Sequence, residues 1–273
     1  MPNIQITLPV SLTAPHLNTV LKYFERANRI SPPEWKLVFE AFDLLGRATV
    51  KIGRRRITFR QFYEREVERR YADDFLNDLL ATDVPEAEGE TLQQKVAFNL
   101  LTWLEQDGLY HSEVADSEYL AAYCLYWWTS FARGYRFELV ILRELQTAGI
   151  VFTAHDLRIR AERFSPYDLV IDRRLGDIKH TTYFLHTARA LPLQCDFYIT
   201  QLYHARRRRY QPIVILTEET WRELNGAVTT ATLETAAEIF PAPAQIVFQG
   251  KNLIVVTFDL WKERVKRRQQ KET

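Results

Sequence analysis

Two cysteines, Cys124 and Cys195, are all that the 273 residues contain, and neither belongs to a CxxC pair or lies near a His-rich cluster. A disulfide framework and a structural zinc site are therefore not suggested. Both thiols sit among apolar and aromatic residues and read as small buried hydrophobes. No stretch approaches the roughly 20 apolar residues of a membrane span. The opening MPNIQITLPVSLTAPHL has no charged segment followed by an apolar run, so no membrane and a reducing cytoplasm are the expected setting. Charge of one sign is also missing: 36 basic residues against 35 acidic leave a net +1. That balance does not mark the whole molecule as a nucleic-acid binder, so any basic surface must be local.

What is present is apolar and aromatic: 47% hydrophobic and 13% aromatic, enough for a sizeable core in one large domain or two small ones. From Ser31 to Gly46, apolar residues at spacings of three and four predict an amphipathic helix with Ser31 as N-cap and Pro32 near its first turn. Ala48 to Phe59 predicts a small hairpin around Gly53, and Phe62 to Leu79 more helix. The Pro, Gly and acidic residues of DVPEAEGET (83–91) mark the expected boundary between a mainly helical region, 1–88, for recognition or docking, and a second domain, 89–273. Helical patterns follow at Leu92–Glu105 and Ser117–Ala132, the latter dense in aromatics and read as core or interface. After residue 134 come a helix-like segment to Gly149 and then short β-rich runs, with a helical stretch at Glu218–Glu223 and a polar helical tail. One helix followed by several strands predicts a mixed α/β sheet with helices on its faces.

The chemistry concentrates in Ser165-Pro-Tyr-Asp-Leu-Val-Ile-Asp-Arg-Arg-Leu-Gly-Asp-Ile-Lys-His-Thr. Period-two alternation puts Asp168 on a face with Val170, and Asp177, Lys179 and Thr181 on one face of the next strand. With a turn centred on Arg174 and Leu175, Asp168 is expected opposite Thr181 and diagonal to Lys179, about 7–8 Å away. In another hairpin register Asp172 would compete with Asp177 for a bound metal ion. Carboxylates gathered in this way repel, and a hard divalent cation, Mg2+ or Mn2+, relieves the repulsion. A nearby Lys can orient an attacking water, hold a phosphate or stabilise charge that develops at phosphorus.

These residues resemble the PD-(D/E)xK, or restriction-endonuclease-like, superfamily. Pro166-Tyr-Asp168 looks like its "PD" with Tyr167 inserted, and Asp177-Ile-Lys179 looks like its "(D/E)xK". Gly134, Glu138, Leu145 and Gly149 resemble the helix that carries a further acidic residue in many members, with Glu144 as an alternative on the same helix. The resemblance implies a restriction-endonuclease-like mixed β-sheet core flanked by helices, behind a helical N-terminal region. It also implies a Mg2+-dependent endonuclease in which Glu138, Asp168 and Asp177 hold metal and Lys179 assists attack. The expected substrate is nucleic acid, DNA ahead of RNA; a module that keeps the fold without catalysis is the alternative. A homodimer follows from the resemblance alone, and a protein partner could dock on the helical N-terminal region. Gln201 is the candidate for an assisting Gln on a later element, while His180 and His204 are expected off the catalytic face.

Arg206, Arg207, Arg208 and Arg209, followed by Tyr210, form the sharpest basic cluster and the expected nucleic-acid contact, of the phosphate-binding kind that reads no sequence. Solvated loops are the competing reading for this cluster, for Gly53-Arg-Arg-Arg56 and for Lys262–Arg268.

Overall fold

The computed structural model describes residues 4–26, 32–182, 184–187, 193–204, 209–224, 227–233, 235–248 and 250–272. The chain divides into two units, Met1–Arg133 and Gly134–Thr273.

The first unit comprises β1 (Ile4–Thr7), α1 (Ala14–Arg26), α2 (Pro32–Leu45), β2 (Thr49–Ile52), β3 (Arg55–Thr58), α3 (Phe59–Phe62), a π-helical turn (Tyr63–Glu68), α4 (Arg69–Ala81), α5 (Pro85–Gln106) and the start of α6 (Ser117–Thr147). The three strands form a small antiparallel sheet in the order β1-β2-β3. Thr58 starts α3 with a capping box: its hydroxyl accepts from Gln61 N–H while the Gln61 side chain accepts from Thr58 N–H. The expected boundary at 88 lies inside α5. Its Pro and acidic residues do not form a linker; they start that helix, with Pro85 in the first turn and Glu86 and Glu88 at the positive end of the helix dipole. The aromatic stretch of α6 is core. Tyr119, Tyr123, Tyr126 and Trp128 are buried; Tyr126 stacks on Phe42 at 3.8 Å between ring centroids, and Trp128 meets Phe75 edge-on at 5.1 Å.

The division between the units falls within α6. Helical segments read separately on either side of Gly134 are one element, since an interior glycine costs only about 1 kcal/mol against alanine. The helix ends at Gly149, whose φ of 72° is the left-handed conformation that glycine adopts without strain.

Beyond α6 the second unit contains β4 (Thr153–Ala154), β5 (Leu169–Ile171), β6 (Arg174–Ile178), α7 (Phe184–Thr187), β7 (Phe197–His204), β8 (Arg209–Thr217), α8 (Glu218–Glu223), β9 (Thr229–Thr230), β10 (Ala244–Phe248), β11 (Lys251–Thr257) and α9 (Phe258–Glu272). Among the described residues the strands form one eight-stranded mixed sheet, β4-β5-β6-β7-β8-β11-β10-β9, parallel at β6–β7 and β9–β10 and antiparallel elsewhere. On one face Phe137, Ile141 and Leu145 of α6, Trp221 of α8, and Phe258, Trp261 and Val265 of α9 cover Leu169, Ile178, Phe197, Ile199 and Val214. On the other, Leu185, Cys195, Ala236 and Ala237 cover Tyr198, Leu202, Ile213 and Ile215. The tail read as a polar helix thus buries Trp261 and Val265. Among the described residues no helix is long and apolar enough to cross a membrane.

Gly176 lets β6 approach Phe197: a Cβ there would stand 2.1 Å from Phe197 Cζ. That ring is itself buried against Trp261, 5.2 Å away. Gly176→Ala is therefore expected to cost about 1–3 kcal/mol through overpacking. Thermal unfolding should show a lowered Tm that Phe197→Leu partly restores.

Candidate active site

The β5–β6 hairpin sets Leu169 against Gly176, Val170 against Leu175 and Ile171 against Arg174. Its turn is therefore Asp172–Arg173, and the expected turn at Arg174–Leu175 is corrected. Both turn residues have positive φ, 50° and 66°, as in the two-residue turns whose twist matches that of a hairpin. The regular ladder ends at Leu169 and Gly176, since Asp168 N–H donates to Gly176 C=O at 2.9 Å, and Asp168 lies beside Gly176 and Asp177 where the expected register put it opposite Thr181. The two carboxyls are close enough to share a hydrogen bond. Asp172 does not compete for this position: its carboxylate accepts from Arg268 Nε at 3.0 Å and from Gln269 Nε2 at 2.7 Å. Among the described residues Arg173 has no such hydrogen bond to offset its left-handed backbone. Arg173→Gly is expected to stabilise the unit by about 0.5–1 kcal/mol, read as a raised midpoint of chemical unfolding.

Alternation along the strands puts Asp168, Asp177 and Lys179 on one face of the sheet, away from Leu169, Ile171 and Ile178. Asp168 is held by the backbone: its N–H donates to Gly176 C=O at 2.9 Å, and its Oδ2 accepts from Ile178 N–H at 2.7 Å. Lys179 Nζ donates to Asp177 Oδ1 at 2.7 Å. Lys179 N–H donates to Ile199 C=O at 2.9 Å, tying the end of β6 to β7.

Glu138 comes from α6, the helix packed on the opposite face, and is only 7% exposed. Its burial pushes its proton affinity well up, and the charges of Asp168 and Asp177 add to this while Lys179 opposes it. Glu144, the alternative on the same helix, is engaged elsewhere, accepting from Lys262 Nζ at 2.8 Å. Burial likewise raises Asp177 to about 7: the pull of Lys179 is outweighed once the neighbouring Asp168 carboxyl, which shares a hydrogen bond with it, is added. Burial works against the Lys179 ammonium, but Asp177, Asp168 and Glu138 together hold it protonated above the usual lysine range. Four side chains predicted from the sequence thus form one electrostatic unit.

Among the described residues no group of three or more His, Cys, Asp or Glu side chains stands close enough to hold a metal ion as arranged. Mutual repulsion is relieved internally, by Lys179 on Asp177 and by the hydrogen bond between the two aspartates. In chemistry the donor set still fits a hard divalent cation, since it is all oxygen and the neighbouring carboxylates add to the raised proton affinity of Glu138 and Asp177.

Gln201 lies on the face of Phe197 and Ile199, opposite that of Asp177 and Lys179. His180 meets Phe137 edge-on at 5.9 Å, also off the carboxylate face. Of the arginine cluster, Arg209 is exposed at the start of β8, while Arg206, Arg207 and Arg208 lie outside the described residues. The other basic runs are engaged: Arg55 with Glu66, Lys262 with Glu144 and Asp259, Arg264 over Trp221, and Arg268 with Asp172.

Two neighbours of the site were not read from the sequence. His155 follows β4, its N–H donating to Asp168 C=O at 3.1 Å and its ring lying 4.7 Å from that of Tyr167. The strand IVFTA was legible, but the residue just past its end is identified only by the pairing. Cys195, foreseen as a buried hydrophobe, has its thiol pushed up to about 11 by burial and by the charges of Asp177 and Asp168. No protein-family model, curated protein or solved structure matches the chain.

Proposed function

We propose that the second unit is a metal-dependent nuclease of the PD-(D/E)xK kind that hydrolyses phosphodiester bonds in nucleic acid, DNA ahead of RNA. The observation that carries this reading is the convergence of Glu138, Asp168, Asp177 and Lys179, from one helix and two paired strands, into one electrostatic set in which the buried Glu138 and Asp177 are shifted by their neighbours. The succession of α6, β4, β5 and β6 supports this reading, because it is the order helix, strand, strand, strand on which the resemblance rests.

Glu138, Asp168 and Asp177 would hold Mg2+ or Mn2+. When bound, the cation would lower the pKa of a coordinated water and polarise the phosphate. Asp168, fixed by two backbone contacts, is the rigid member of the set. Asp177 orients Lys179 through their 2.7 Å hydrogen bond. Lys179, with 43% of its side chain exposed, can turn its ammonium toward a phosphate oxygen or an attacking water while the charges of Asp177, Asp168 and Glu138 keep it protonated. A point cation suits this role because charge on the phosphate oxygens increases as the bond to the leaving group breaks.

The test is incubation of plasmid DNA, single-stranded DNA and RNA with Mg2+, Mn2+ or EDTA. Cleavage of at least one substrate that EDTA abolishes is the expected result. No cleavage of any substrate, with salt-sensitive binding that ignores chelator, would overturn it in favour of a non-catalytic binding module.

A further inference from the structure

The small sheet of the first unit has two unlike faces. Val50 is wholly buried and Ile57 is 7% exposed on one of them, shared with the half-buried Ile4 and Ile6 of β1. Opposed residues of an antiparallel pair lie on the same side of a sheet, so the other face consists of two rows that cross all three strands. Gln5, Lys51 and Arg56 form one row; Thr7, Thr49 and Thr58 form the other. Gln5, Thr7, Lys51 and Arg56 are exposed. Neither row contains an acidic or a large apolar residue, and the surrounding sequence is equally one-sided: residues 1–24 and 44–63 contain no Asp or Glu.

Lys51 and Arg56 stand directly opposite each other, and like charges so placed destabilise a sheet. Neither has an acidic partner among the described residues, and nor does Arg54, exposed in the two-residue turn that joins their strands. Of the three successive arginines only Arg55, which alternation turns to the other face, meets an acid, Glu66 at 3.1 Å. Arg56 is nevertheless held in place, its Nε donating to Thr49 Oγ1 at 3.1 Å. Two cations fixed side by side without a counter-charge are relieved by an anion.

We propose that this face docks the first unit on the sugar–phosphate backbone of duplex DNA, with Lys51, Arg54 and Arg56 neutralising phosphates and Gln5, Thr7 and Thr49 as hydrogen-bonding neighbours. Lys, Arg, Thr and Gln side chains are among those that contact phosphate, and such contacts read no sequence. The duplex is favoured because it carries one charge per about 1.7 Å of its axis, and because the two rows hold no ring on which an unpaired base would stack. A protein partner would require apolar anchors at the centre of its interface, and the rows offer none. Docking of this kind goes beyond the nuclease reading and needs neither its metal nor its carboxylates.

The test is fluorescence anisotropy of the full chain with a short labelled DNA duplex and with one of its strands alone, in EDTA and over a series of salt concentrations. Lys51→Glu sets an acid opposite Arg56, so its Tm should equal or exceed that of the wild type. Its duplex affinity should fall about 5- to 30-fold, and the slope of log affinity against log salt should become shallower by about 1 to 2. Arg56→Gln should weaken duplex binding about fivefold. Lys95→Glu, the same change of charge at an exposed position of α5, should stay within about threefold of wild type. Unchanged duplex affinity in Lys51→Glu and Arg56→Gln, an equal loss in Lys95→Glu, or a single strand bound as tightly as the duplex would overturn the proposal. Polyglutamate that displaces the duplex at equal charge would overturn it in favour of an acidic protein. Loss of docking beside EDTA-sensitive cleavage would leave the nuclease standing, and Lys51-dependent docking without cleavage would keep the face and remove the nuclease.

Discussion

Lys179→Ala is expected to reduce metal-dependent cleavage about 10²- to 10³-fold, the loss typical of removing one preorganised donor to developing charge. Asp177→Ala should take it to background, because that change removes an oxygen donor and also releases the hydrogen bond that orients Lys179. Lys179→Arg should recover little: a planar fork on a longer stem does not reproduce a compact ammonium at the same point. Single-turnover cleavage assays, with circular dichroism to verify the fold, measure each loss. A Lys179→Ala protein that cuts at the wild-type rate would remove that residue from the chemistry.

Asp177→Asn is expected to make the chelated protein more stable while it abolishes cleavage. Asp177 is raised from its ordinary 3.8 to about 7, so between those values the folded state holds a proton that the unfolded chain has lost. Stability therefore falls as pH rises from about 4 to 7, and the whole penalty is present above 7. The amide carries no charge and so no such penalty. A gain of about 1–3 kcal/mol at pH 8 is expected, discounted from the full linkage value because Lys179 loses its partner. Differential scanning calorimetry in EDTA at pH 5.5 and pH 8 should show wild-type Tm falling more steeply with pH than that of the variant, in which buried Glu138 still contributes a fall. A wild-type Tm independent of pH would mean that burial and Asp168 do not raise Asp177.

Elements with strong local signals were legible in the sequence. Glu218–Glu223 forms the helix at those positions because Thr217 caps it, its hydroxyl accepting from Thr220 N–H, and Gly149 closes α6 where a left-handed residue is needed. The site residues were legible because charge inside apolar strand flanks is costly without a purpose. The register was not: Asp172 and Arg173 take positive φ without being glycine, while Gly176, the residue that resembles a turn, lies inside β6 to admit Phe197. Nor was the boundary legible, since Pro and acidic residues serve a helix N-terminus as well as a linker. Burial of Trp261 and Val265 in an otherwise polar tail depended on long-range packing against β7 that no local pattern reports.

The most direct test of the carboxylate site is calorimetric titration of Mn2+ into the wild-type protein and into Asp168→Asn, read independently of any cleavage. Saturable binding by the wild type, weakened at least tenfold in the variant, is the predicted result; equal binding by both, or none by the wild type, would contradict a metal site built on these residues.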